Sequence, residues 1–235
     1  MKRFYTQVDA VAEGSDWGIR LDGKPVRTPA RVPLIVPTAA FAQAIVAEWA
    51  AQVETIRPAS MPLTGLANAA IDRIAPDPLQ FAHGLARFAE SELLCYRAEG
   101  PAPLVARQAA AWDPLLGWAS ARYDVAFIVT AGILHVGQPP ETLARLRAAF
   151  AAFDSFRLAA LNPVVTICGS AVLGLAVAEA HIDAAQAWAA GQLDEIWQAE
   201  QWGEDPLATA SRIERQAALV AAVQCLTLLQ AADVR

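Results

Sequence analysis

A chain of 235 residues with 55 % apolar side chains can form one large core or two small ones, and its three scattered cysteines exclude a disulfide framework. A net charge of −6 and a pI near 5.1, with Lys2 and Lys24 the only lysines and no basic run, exclude a nucleic-acid surface, since phosphate binding needs clustered cations. Cys95, Cys168 and Cys225 each sit among apolar residues, which implies a reducing compartment, and the N-terminus lacks the apolar core of a signal peptide, so a cytoplasmic location is expected.

The first residues alternate with a period of two, at Arg3 to Val8, Trp17 to Leu21 and Val32 to Val36, with turn residues at Glu13 to Asp16 and at Asp22-Gly23. Asp22-Gly23 between Leu21 and Val26 is a hairpin signal. Three or four short antiparallel strands are expected, broken by Pro25, Pro29 and Pro33. Thr38 then caps a helix through Val53, a second helix runs from Leu63 to Ile74, and Pro76-Asp77-Pro78 starts a third through Leu94.

Residues 97–103 read as a loop and Pro103 to Tyr123 as a helix bent at Asp113-Pro114. Val125 to Val136 is β-branched, broken by Gly132, and reads as an extended connection or a hairpin. A helix from Pro139-Pro140 to Phe153 follows. The uncharged run Leu158 to Ala178 is long enough to span a membrane, yet Asn162, Pro163, Gly169, Ser170 and Gly174 within it favour a buried central helix. A last helix begins at Pro206 and runs to Ala231. The expected class is α+β, with a β-rich N-terminal domain over residues 1–55 and an all-α domain over 56–235.

Between two alanine-rich helical segments lies L-D-E-I-W-Q-A-E-Q-W-G, Leu193 to Gly203. At roughly 100° per residue, Leu193, Ile196 and Trp197 share one side, while Glu195, Gln198 and Trp202 share another. An indole beside a carboxylate and an amide is an anchor of the kind protein interfaces use. The carboxylates Asp194, Glu195, Glu200, Glu204 and Asp205 admit an alternative, a metal-dependent or carboxylate-based hydrolase, but the helical wheel disperses them. Glu200 falls in the apolar stripe, so it is expected either at the helix edge or paired with an arginine of the last helix such as Arg212 or Arg215. His83, His135 and His181 lack metal spacing, and no phosphate loop or nucleophile elbow occurs, so no metal, cofactor or catalytic set is expected.

Seven motifs in one order carry more information than any one of them. They are R-F-Y at Arg3, L-D-G-K-P-V-R-T-P at Leu21 to Pro29, E-W-A-A-Q at Glu48 to Gln52, A-N-A-A-I-D at Ala67 to Asp72, L-C-Y-R at Leu94 to Arg97, W-D-P at Trp112 to Pro114, and the Leu193 to Gly203 stretch. Together they resemble, from Arg3 to about Leu229, the assembly chaperones of mitochondrial and α-proteobacterial F-type ATP synthase that bind the α subunit. The resemblance implies a monomeric, non-catalytic protein with a β-rich N-terminal and a helical C-terminal domain, which holds the free α subunit until the β subunit replaces it. It also implies partner binding through Asp194, Glu195, Gln198 and Trp202, and through the E-W pair, Glu48 and Trp49. For Trp49 a packing role at the domain junction is expected. No transit peptide is expected, in contrast to mitochondrial members, and the chain departs from them in reading G-E-D-P after Trp202.

Overall fold

Turn chemistry sets the N-terminal sheet. In the computed structural model, which describes residues 1–203 and 205–230, β1 (Val8–Glu13) and β2 (Asp16–Leu21) form an antiparallel hairpin with Val8 opposite Leu21 and Glu13 opposite Asp16. Asp22 and Gly23, both at positive φ, reverse the chain into β3 (Lys24–Pro25), the pairing of signs that suits a tight hairpin. The Asp22 carboxylate also accepts from the Gln7 and Thr6 amides and the Thr6 hydroxyl, which hold its pKa below the ordinary value. β2 is central: β4 (Ile35–Val36) pairs with it beside β3. The first strand therefore starts at Val8 rather than Arg3. Residues before it are tied elsewhere, by Arg3 N–H to the Glu54 carbonyl and Tyr5 O–H to the Trp49 carbonyl at 2.8 Å.

The chain divides into two units. The first comprises Met1–Pro78, Asp154–Ala160 and the described end of the chain from Ala221. In it α1 (Ala39–Ala50), capped by the Thr38 hydroxyl at 3.0 Å from the Phe41 amide, lays Phe41 and Ile45 against Ile19, Leu34 and Val36, all fully buried. α2 (Pro62–Ala69) continues as a widened π turn over Ala70–Ile74, where a regular helix was expected. From that turn Asp72 accepts from the Thr28 hydroxyl at 2.6 Å and the Ala30 amide at 2.9 Å.

The second unit comprises Leu79–Phe153 and Leu161–Val220. Its helices are α3 (Pro78–Ala86), α4 (Ala102–Tyr123), α5 (Pro140–Ala151), most of α6 (Ser155–Cys168), α7 (Ala171–Ala178), α8 (Ala184–Gly191), α9 (Leu193–Trp202) and the start of α10 (Pro206–Gln230). After α3 the chain tightens into 3₁₀ turns, so the third helix does not reach Leu94 as one piece. The Val125 to Val136 segment forms neither helix nor hairpin ladder. It supplies β6 (Thr130–Ala131), parallel to β5 (Tyr96–Arg97), a small addition to an otherwise helical region of an α+β fold.

The uncharged run is two helices rather than one. Gly169 takes φ +65° and Ser170 caps α7 through its hydroxyl, 2.9 Å from the Leu173 amide. Glu92, fully buried, reaches the same helix start and accepts from the Val172 amide at 3.1 Å. Burial pushes its pKa up to about 7 against the opposing pull of those donors. Among the described residues no helix is long and apolar enough to cross a membrane. All three cysteines are buried free thiols.

Candidate interaction groove on the second unit

The sequence motifs meet in pairs. Arg97, from L-C-Y-R, places its guanidinium 5.2 Å from the ring centre of Trp112 and 2.7 Å from Asp113, both from W-D-P. Trp112 is wholly buried and its indole N–H donates to the Ala190 carbonyl at 2.9 Å, which ties α4 to α8 just before α9 begins. The Gln108 amide bridges the Ala98 N–H at 2.8 Å and the Asp194 carboxylate at 2.7 Å. These contacts fix α9 beside the loop that follows β5.

Between them lies a groove of about 450 Å³, with Asp194, Trp197, Gln198 and Trp202 on the α9 wall and Glu99 and Ile133 among the residues opposite. Burial follows the helical wheel, with Leu193 buried, Ile196 and Trp197 half-buried, and Glu195, Gln198 and Trp202 exposed, Trp202 at 79 %, but the groove is lined by Trp197 with Gln198 and Trp202 and not by Glu195. Trp197 also lies 6.0 Å beneath the Arg107 guanidinium.

The acidic residues of this stretch are each engaged separately. Glu200 pairs with Arg107 through two hydrogen bonds of 2.6 and 3.1 Å, not with Arg212 or Arg215 as expected, because α4 rather than α10 faces that side of α9. The hydrogen bond from Arg107 holds the Glu200 carboxyl below the usual carboxylate range and raises Arg107 in turn. Glu195 pairs instead with Arg215 at 2.8 Å, and Asp205 accepts from the Ala208 amide in the first turn of α10. Glu204 lies outside the described residues. Among those described, no three His, Cys, Asp or Glu side chains gather as metal ligands.

Glu48 and Trp49 belong to the first unit. The Glu48 carboxylate accepts from the Leu63 amide at 2.6 Å and from the Thr64 amide and hydroxyl at 2.8 and 2.7 Å, so it caps α2. Trp49 is half-buried, packs edge-on against Tyr5 with ring centres 5.6 Å apart, and carries a buried indole N–H without an acceptor among the described residues. Asp194, Gln198 and Trp202 thus line one groove and Glu195 lies outside it on α9, whereas the E-W pair is built into the packing of the first unit. Sequence reading missed Arg107, Gln108, Glu99 and Ile133. Only Ile133, inside a β-branched run, carried a local signal.

Comparison with known proteins gives a consistent result. The family described as ATP12 chaperone protein matches residues 2–120. The mitochondrial protein atp12 of Schizosaccharomyces pombe is 25 % identical over 214 residues, covering 86 % of this chain and 74 % of that protein. The crystal structure of Atp12 from Paracoccus denitrificans is 42 % identical and superposes with a TM-score of 0.92 over 97 % of each chain. The Atu1473 protein of Agrobacterium tumefaciens is 43 % identical with the same TM-score, over 97 % of this chain and 86 % of that one. This chain belongs to the ATP12 chaperone family, whose members are chaperones rather than enzymes.

Proposed function

We propose that this chain, as an ATP12-family assembly chaperone of the ATP synthase, binds the free α subunit of the catalytic sector, in a bacterial cytoplasm, and keeps it from aggregating until the β subunit takes its place. The observation that carries this reading is Trp202, a large aromatic held 79 % exposed on a helix whose other face is packed. An exposed indole at the mouth of a groove is the kind of aromatic anchor that dominates interface energies. Around it Gln198, Asp194 and the Glu195–Arg215 pair supply a polar rim.

The physical task fits such a surface. An isolated subunit of a ring exposes an apolar interface that its neighbours normally cover, and that surface aggregates. A masking partner must bind and yet be displaced, which favours a modest patch with one strong anchor over a broad apolar interface. The test is a pull-down with purified chain and the α and β subunits of its own organism, offered singly and together. Recovery of α alone, lost on addition of β, is the expected result. Folded chain that recovers neither subunit would sink the reading.

A further inference from the structure

The wall of the groove opposite α9 has features that a mere packing defect does not explain. Ile133 is 98 % exposed and Leu134 79 % exposed, yet the loop that carries them is firmly tied. The Gln138 amide makes two hydrogen bonds of 2.9 Å, to the N–H and the carbonyl of Ile128. The Thr142 hydroxyl donates to the Ala126 carbonyl at 2.7 Å, the Gly132 amide donates to the Arg97 carbonyl at 2.9 Å, and the Tyr96 hydroxyl meets the His135 ring at 3.1 Å. Of the two, Ile133 lines the groove, and a braced main chain that holds it there in water is a presented surface.

Charge completes the picture. Among the described residues, three charged side chains line the groove, Arg97, Glu99 and Asp194. The Arg97 guanidinium is taken up by Asp113, by the Leu94 carbonyl at 3.1 Å and by the face of Trp112. Glu99 has no cation among the described residues, and Asp194 has only the neutral Gln108 amide. This contrasts with Glu195 and Glu200 on the same helix, each paired with an arginine. Gly132 holds the tip against Glu99: its φ is +85°, and a Cβ there would stand 3.2 Å from the Glu99 Oε1 atom. The groove lining thus includes two carboxylates with no cation partner among the described residues, together with an exposed indole and an exposed isoleucine.

We propose that the groove receives a segment of the client in which a lysine or arginine is flanked by apolar side chains, the cation between Glu99 and Asp194 and the apolar flanks on Trp202 and Ile133. The inference rests on the α-subunit reading above and specifies which part of that client is held. Opposite charge in a cleft raises association rate and fixes orientation, and an indole wall also favours a guanidinium.

The test uses the full chain with a photocrosslinking amino acid at Ile133, a control at the exposed Val53 of the first unit, and purified α subunit as the probe. Crosslinks from position 133 are expected to fall on a peptide of the α subunit that contains lysine or arginine beside apolar residues. In parallel, Glu99→Lys should weaken α-subunit binding by about tenfold and flatten its salt dependence, with the melting temperature unchanged. If the parent holds the α subunit while Glu99→Lys holds it equally well and position 133 yields no crosslink, the groove assignment is overturned and the chaperone reading stands. If the parent holds no α subunit at all, both fall together.

Discussion

Glu92 shows how a single side chain couples stability to pH. Folded, its buried carboxyl keeps its proton up to about pH 7, whereas at its ordinary pKa of 4.5 an unfolded chain releases it. The folded state therefore binds more protons across that window, so the contribution of Glu92 to stability falls as pH rises from 4.5 to 7 and is level above. The Glu92→Gln variant should lose a slope worth on the order of 3 kcal/mol across the window. Urea titrations at several pH values read this directly, and an identical slope in parent and variant would contradict it. At Trp49 a different residue-scale cost is expected. Arginine cannot replace the edge-on contact with Tyr5, so Trp49→Arg should destabilise the chain by about 2–3 kcal/mol, read as a lower urea midpoint.

At the scale of elements, what could be read in the sequence was local and what was hidden was distant. Asp22-Gly23 announced its hairpin because only a few residue pairs accept positive φ twice, and the face of α9 followed from its own period. The break at Gly169 lay inside a uniformly apolar run, and part of its support comes from Glu92, eighty residues away from Val172. The partner of Glu200 was misjudged for the same reason, since Arg107 lies ninety-three residues before it. The groove depends on two strands of two residues each, β5 and β6, too short to leave a pattern. Helix contacts make their own prediction. A Cβ on Gly191 at the end of α8 would stand 2.8 Å from the Cys168 Sγ and 3.0 Å from its Cα, so Gly191→Ala should destabilise by about 2 kcal/mol in thermal or urea melts, and an unchanged midpoint would show that α8 can shift away.

For the whole molecule, the separation of packing residues from presenting residues decides which substitutions affect function alone. Trp112 and Trp202 are the extremes, one wholly buried and one mostly in water. Trp202→Ala should leave stability within about 0.5 kcal/mol of the parent while reducing α-subunit recovery severalfold, whereas Trp112→Ala should cost about 3 kcal/mol or more and lose binding only through unfolding. Recovery of the α subunit at the parental level by Trp202→Ala would remove α9 from the interface. The net charge of −6 belongs to this scale too, since like charge on the molecule opposes self-association while Glu99 and Asp194 line the groove where a cationic segment is expected.

The buried thiols have a consequence for motion. Burial raises Cys95, Cys168 and Cys225 to about 12, so at neutral pH hardly any thiolate is exposed to an alkylating reagent. Modification must wait for the surrounding structure to open, and its rate becomes a clock for that opening. Cys95 and Cys168 keep time for the second unit and Cys225 for the first, so alkylation followed by peptide mapping times the breathing of each unit separately, with and without client.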